Sequence, residues 1–567
     1  MKLRMLPPVS SAVGIETRSV HTNPQAKRWL WRVSLLPIFL VAAMALQYLG
    51  GAYRAELSGY PDEPAHFVSG VMVKDYLSTF PPTSPLTFAK NYYVQRPKVA
   101  IGHWPPLFYL LQGCWFLLFG ASRWSVLLLM ALVAAGVATT VSAIVRLKYG
   151  SWAGLTAGLV FLVLPIVQVQ TQEVMSDMLV ALFGLWATLA FADYISLGRK
   201  SDLFRFVGLA LLAISAKPSG LYLALLPPIA FILTKHLRSF ADRWLWLSAL
   251  LVGLPAAAWI WYSARFHVGT WDETPSLQFI SKAVARNGVY LASGFGVAFS
   301  LLIGAGLYAR VFRPLFKGTP DPRWSVLAAA GLSVFLFQSV ISAGLEPRFL
   351  NPAISALIPF LFAGAEWLSG NLGTRRWSTQ AWSSIILAGS TLAFVGQVFA
   401  IPQKPYRGFS EAADLLVSIP DAHHAAILVS SEFDGEGLLI SELTMREPWQ
   451  DGFVLRASKV LSGSDWMGRG YSARFSSQEE LQQYLDHLPV DFVVIDQANG
   501  SAPLSHHRML IDVVRQSTNW RLLGSFPQHP SAAAGPGVLV YRRIGTTGQP
   551  DKHVRSEMEE ILGRKLP

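Results

Sequence analysis

Two adjacent carboxylates bracketed by prolines, in Tyr60-Pro61-Asp62-Glu63-Pro64-Ala65-His66-Phe67, are the residues of this chain best suited by type to acid–base chemistry. Sequence neighbours project in different directions and cannot form an i,i+4 pair, so one can act as a base while the other holds a neighbour. Ordinary loop carboxylates near lipid headgroups account for the same two residues equally well. His66 alone reads more readily as an interfacial histidine. A second stretch, Arg96-Pro97-Lys98 followed by Gly102-His103-Trp104-Pro105-Pro106-Leu107, sets basic groups before a proline-initiated helix. The free N–H groups and dipole of such a helix favour an anion such as phosphate, although an aromatic belt with snorkelling basic groups needs the same residues. In a third, Glu173 and Asp177 stand at i,i+4 and repel unless a cation lies between them; as a helix-opening charge, Asp177 also has a bland explanation. Further ionisable groups are Lys217 at a turn, Arg265, His267, Asp272 and Glu273 in a later loop, and Glu346 with Arg348 before another apolar run.

The elements that must carry these groups are membrane spans. Only 14% of the 567 residues are charged and 52% are hydrophobic, against roughly 25% charged in soluble domains. A crossing takes about 20 mostly apolar residues. Runs of that kind fall at 33–53, 124–145, 152–168, 177–196, 203–216, 219–234, 243–263, 288–308, 324–343, 349–368 and 381–401, about eleven crossings in a polytopic α-helical membrane protein. The first is longer than a signal-peptide core and follows a basic tail, residues 1–32, so it reads as a signal anchor with its N-terminus inside. The positive-inside rule then puts Arg146 and Lys148, Arg199 and Lys200, Lys235 and Arg238, the stretch Arg310 to Arg323, and Arg375 with Arg376 in the cytoplasm. Much of the formal charge of +12 therefore orients spans and calls for no nucleic acid. The short run 105–119, opening on Pro105-Pro106, reads as a re-entrant or interfacial helix. One cysteine, Cys114, excludes an intrachain disulfide and a cysteine-based metal cluster.

With this topology, the candidate groups all fall on the external face. Ionisable residues at a membrane edge either snorkel to water or do chemistry, and both signs collected on one face suit an anionic ligand handled by acid or base catalysis. After Pro402 the pattern changes to short strands at Ala425–Ser430, Phe453–Ala457, Asp491–Ile495, Arg521–Ser525 and Val538–Tyr541. They alternate with amphipathic helices at Ser410–Val417, Gln478–Leu488 and His506–Arg515, which predicts an external α/β domain over 403–545 and a polar tail over 546–567. The sequence Asp434-Gly435-Glu436-Gly437 lacks the spacing of a dinucleotide loop and is expected to be a turn.

In this order the pieces resemble the GT-C superfamily of membrane glycosyltransferases, in particular the branch with protein O-mannosyltransferases and the lipid A aminoarabinose transferase. The likeness rests on Asp62-Glu63, the HxPPL-like start at His103, Asp177 opening a span, the turn Ala216-Lys217-Pro218, and Arg348-Phe349-Leu350-Asn351-Pro352, and it covers about 1–401. The resemblance implies a sugar on a polyprenyl phosphate as donor, an acceptor on the external or periplasmic face of the plasma (inner) membrane, and inversion at the sugar. It makes Asp62 the catalytic base, Glu63 its support, and Lys217 and Arg348, helped by Lys98 and Arg265, the holders of the donor phosphate. Asp177 would orient one of those cations, with Glu173, His66, His103 and Glu346 in supporting positions. Where relatives carry an acidic and a basic residue before the second motif's proline, this chain has His103 and Trp104. That leaves the acceptor class open, along with a divalent metal near the external carboxylates, for which no ligand is assigned. A secondary transporter would show paired broken helices and internal symmetry, and a membrane sensor would carry its chemistry in the tail; neither pattern is visible.

Overall fold

The computed structural model describes residues 35–265, 276–341, 344–372, 379–398, 401–431, 433–446, 452–464, 470–488, 490–497, 504–528, 537–545 and Ser556. The N-terminal tail 1–32, His267, Asp272, Glu273, Arg375 and Arg376, and all but Ser556 of the polar tail 546–567 lie outside the described residues.

Six helices are long and apolar enough to cross a membrane: Arg123–Tyr149, Asp177–Leu197, Arg243–Ser263, Leu277–Lys317, Pro322–Val340 and Pro347–Asn371. The expected crossing at 152–168 is a pair, Ser151–Val163 and Pro165–Gln172, bent by 67°. Its cause is local: Pro165 cannot donate to the helix ladder, and the residue before it, Leu164, is extended at φ −62°, ψ 133°. The other expected crossings are shorter. Leu36–Leu49 has 14 residues and Lys200–Ala216 has 17, while Pro218–Thr234 divides into a 3-10 turn and a nine-residue helix. Six or seven crossings, not eleven, meet the length of a span among the described residues.

Leu107–Phe119, at 13 residues, is too short to cross and lies against Glu63–Thr79. Two glycines permit that approach, since a Cβ on Gly70 would stand 2.8 Å from Gln112 and one on Gly113 would stand 2.6 Å from Val73. The two ends of the bundle differ in charge. At one end Lys148 and Arg310 meet Glu366, Arg199 and Arg205 hold Asp202 at 2.7 and 2.9 Å, and Arg323 reaches Asp193 at 3.5 Å. Asp62, Glu173, Lys217 and Arg348 gather at the opposite end.

Past residue 401 a five-stranded sheet forms from β1 (Ala426–Ser430), β2 (Phe453–Arg456), β3 (Phe492–Asp496), β4 (Trp520–Phe526) and β5 (Val538–Arg543), in the order β2-β1-β3-β5-β4. β1 runs parallel to β2 and β3, and β5 runs antiparallel to β3 and β4. All five anticipated strands and all three helices are present. Asp434-Gly435-Glu436-Gly437 is not a turn: it lies in the first turns of the helix Phe433–Thr444. Its glycines serve close approach instead, because a Cβ on Gly435 would meet Ser431 Oγ and one on Gly437 would stand 2.7 Å from Lys98 Cε. Phe433–Thr444 packs on Glu63–Thr79, and one buried apolar cluster runs from Phe67 and Phe108 to Phe409, Leu416, Leu439 and Ile427. One face of the sheet thus shares its core with the helices, while the other buries a separate cluster around Leu428, Leu455, Val493 and Leu510.

Candidate active site

Asp62 occupies the N-cap position of the helix Glu63–Thr79, with Pro64 in its first turn, but its side chain makes no capping hydrogen bond. The carboxylate is left about a quarter exposed, and Oδ2 lies 3.7 Å from Arg348 Nη2. Glu63 behaves differently. It is fully buried, with Oε1 accepting from the amides of Gly59 (2.7 Å) and Tyr60 (3.1 Å) and Oε2 accepting from Val174 N (2.9 Å) and Lys404 Nζ (2.7 Å). Adjacent positions on a helix start send one carboxylate into solvent-accessible space and the other into the core.

Arg348 stands in the 3-10 turn Pro347–Leu350 that opens the span carrying it. Its guanidinium stacks over Tyr60 at 3.6 Å, Nε lies 2.5 Å from Glu346 Oε2, and Nη1 donates to Met175 Sδ at 3.7 Å. The Tyr60 hydroxyl donates to Glu346 Oε1. Burial, with Glu346 next to it, raises the Tyr60 phenol and keeps it a donor. Lys217 ends the preceding helix in extended conformation, and its Nζ bridges Asp177 Oδ1 (2.9 Å) and Oδ2 (2.8 Å) while lying 4.7 Å from the Phe349 ring. The acidic pair Glu173 and Asp177 is therefore separated by a cation on the Asp177 side only. Glu173 is buried beside Glu63, and burial together with the Glu63 charge raises its carboxyl to about 8.

Lys98 packs on Gly437, and its charge interacts with Asp62, Asp434, Glu436 and Arg456. Burial and the Arg456 charge lower its ammonium to about 8. It thus lies between Asp62 and the sheet region. His66 is buried, with Nδ1 3.0 Å from the Tyr109 hydroxyl and its ring 4.4 Å from Trp104; burial and the charges of Lys217, Arg348 and Lys98 hold it neutral. His103 lies edge-on to Trp104. Arg265 stands apart: it is exposed, its guanidinium lies over Trp261 of the helix Arg243–Ser263 that ends just before it, and it makes no contact with the Asp62 cluster among the described residues.

The structure accordingly brings Asp62, Glu346, Arg348, Asp177 and Lys217 into one cluster, with Lys98 and His66 at its edge. Arg348 and Lys217 each have a dedicated carboxylate, Glu346 and Asp177, leaving Asp62 on the longest ion-pair contact of the cluster and about a quarter exposed. No group of three His, Cys, Asp or Glu side chains could hold a metal among the described residues, and Asp62 and Glu63 diverge.

Sequence reasoning missed four residues. Lys404 and Glu56 are buried, Glu56 accepting from the amides of Arg407, Gly408, Phe409 and Ser410 at the start of the helix Phe409–Ser418. That helix has a glycine at its N-cap, and its uncapped N–H groups were the signal. Ser176 Oγ and both amide atoms of Asn351 are buried without hydrogen-bond partners, beside Met175, Asp177 and Arg348. Their polarity within apolar runs was visible; their burial was not.

Residues 103–261 match the family described as dolichyl-phosphate-mannose-protein mannosyltransferase, a stretch that includes His103, Asp177 and Lys217 but neither Asp62 nor Arg348. No curated protein matches the sequence. Among solved structures, ArnT from Cupriavidus metallidurans bound to undecaprenyl phosphate is 13% identical, with a TM-score of 0.52 over 91% of this chain and 99% of that one. Its apo form gives a TM-score of 0.56 at 13% identity, over 93% of this chain and 100% of that one. The Archaeoglobus fulgidus oligosaccharyltransferase tethered to an acceptor peptide with the NVT sequon is 15% identical, with a TM-score of 0.52 over 82% of this chain and 69% of that one. At such identities the likeness is one of fold, shared with ArnT and the archaeal oligosaccharyltransferase.

Proposed function

We propose that this chain is a membrane glycosyltransferase that moves a sugar from a polyprenyl-phosphate donor to an acceptor hydroxyl or amide on the external face of the plasma membrane, with inversion. The observation that carries the reading is Asp62, an accessible carboxylate 3.7 Å from Arg348, in one cluster with the Lys217–Asp177 pair. The fold neighbour solved with undecaprenyl phosphate supports the donor class.

In this reading Asp62 accepts the proton of the acceptor as its heteroatom bonds to the anomeric carbon, a role worth about 10²–10⁴ in rate. The bond from that carbon to the phosphate oxygen breaks, and the oxygen keeps the electron pair. Arg348 and Lys217 stabilise the charge gathering on the leaving phosphate, held in place by Glu346 and Asp177. Glu63, with both oxygens accepting from N–H donors, positions the loop. The N-terminal tail and the basic bundle end face the cytoplasm, and the α/β region over 403–545 lies outside as a second domain.

The test is Asp62→Asn in membranes supplied with undecaprenyl-phosphate hexoses and pentoses. Transfer should be lost while folded protein and undecaprenyl phosphate binding persist. Full transfer by this variant would sink the mechanism.

A further inference from the structure

Lys404 follows the last apolar run and is buried against the opposite end of the sequence. Its Nζ donates to Glu63 Oε2 at 2.7 Å and to the Gln172 carbonyl at 2.9 Å, and its own amide donates to the Gly50 carbonyl at 2.9 Å. Glu63 in turn gathers amides from two separate segments, Gly59 and Tyr60 on one side and Val174 on the other. The first segment leads into Asp62. The second leads into Met175, which touches Arg348, and into Asp177, which holds Lys217. One buried ion pair therefore sets the register between the loop that bears the accessible carboxylate and the loop that bears the cation cluster.

We propose that Lys404 is a positioning residue for Asp62: acting through Glu63, it fixes segments 59–62 and 173–177 against each other, so that the region after residue 401 controls the geometry of the catalytic cluster. This rests on the reading of Asp62 given above. The electrostatics require such a partner. A fully buried carboxylate with no cation takes up a proton or leaves its site, because an unpaired charge is strongly disfavoured in a low-dielectric interior. A protonated Glu63 accepts less strongly from amides. Its carboxyl neighbour Glu173 supplies no positive charge, so Lys404 is the cation in contact with Glu63 among the described residues. The sheet region has separate fastenings, the Glu56 carboxylate on four amides and Arg123 Nη2 at 2.6 Å from Glu442 Oε1, which leave it docked when Lys404 is changed.

The experiment uses full-length protein in detergent and reads amide hydrogen exchange in peptides covering 57–62 and 172–176 for Lys404→Met, Lys404→Arg, Glu63→Gln and Asp62→Asn. Lys404→Met should lose about tenfold or more of the protection in both segments together, as a local opening, with exchange in Arg123–Tyr149 unchanged and partial recovery in Lys404→Arg. Transfer from an undecaprenyl-phosphate hexose should fall about 10- to 100-fold in kcat with little change in KM, the scale of a misplaced catalytic group. Lys404→Met combined with Glu63→Gln should lose no more than the worse single change, since both act on one interaction. Unchanged protection in either segment, protection lost throughout the protein, or additive losses in the double variant would each overturn the proposal. Asp62→Asn separates the two readings: if it keeps transfer, the base assignment fails, while the exchange results for Lys404 still stand or fall alone.

Discussion

Two buried polar side chains beside the cluster have no hydrogen-bond partner among the described residues. Asn351 is fully buried with neither amide atom bonded, and Ser176 Oγ is equally alone, both in segments that touch Arg348 and the Asp177–Lys217 pair. Leaving such groups unpaired costs about 1–3 kcal/mol each, so an apolar replacement of similar shape should not destabilise the protein. Asn351→Leu is expected to keep or slightly raise the thermal midpoint and to weaken undecaprenyl phosphate binding about 5- to 20-fold, read by titration of purified protein, one lost hydrogen bond to a charged group. Lys98 supplies a pH test. Its pKa is lowered to about 8 from 10.5, so between those values the unfolded chain binds more protons and stability rises with pH. The thermal midpoint of the native protein relative to Lys98→Met should therefore increase from pH 7.5 to pH 9.5. A flat difference would place Lys98 in water.

Elements explain why those residues meet. The bend at Leu164-Pro165 turns an apolar run into an approach to the site, delivering Glu173, Ser176 and Asp177 to the cluster. The pairing of Leu107–Phe119 with Glu63–Thr79 holds the Asp62 helix from the other side, through contacts that leave no room for a side chain at Gly113. Gly113→Val should push these helices apart and destabilise the protein by about 1–3 kcal/mol, visible as a lower midpoint, with loss of transfer following the displaced helix. Retention of both would mean that Val73 can move aside.

At the scale of the molecule, the sheet region and the helices share a continuous apolar cluster and buried ion pairs, so the carboxyl-terminal third is part of the structure that frames the site. Glu56→Ala removes the acceptor for four amides, including the uncapped start of Phe409–Ser418, and should cost about 1–2 kcal/mol or more, as loss of a helix cap does. Limited proteolysis should then cut between 401 and 410 sooner than in the native protein. Unaltered cleavage would show that the remaining contacts suffice to dock the region.

Much of this was legible in the chain itself. The five sheet strands after residue 402 and three of the helices follow from periodicity, because a half-buried strand or helix must alternate its apolar residues whatever it packs on, whereas the helix Phe433–Thr444 was hidden by its glycines. Charge segregation to the two bundle ends follows from the cost of charge in hydrocarbon, which no tertiary arrangement can waive. Asp62, Lys217 and Arg348 stood out for the same reason. Sequence did not settle how many apolar runs are long enough to cross, since a proline bend or a 3-10 turn shortens a run without changing its hydropathy. Residue chemistry alone did not distinguish Asp62 from Glu63, two adjacent carboxylates that only the family resemblance told apart, because the difference is the direction each takes from a helix start. It also gave no hint that Lys404 and Glu63, 341 positions apart, would meet. Local sequence determines what each segment can be and which groups must avoid the membrane interior. Only the packed chain determines which charges find each other, because that pairing depends on distances between segments that no local pattern encodes.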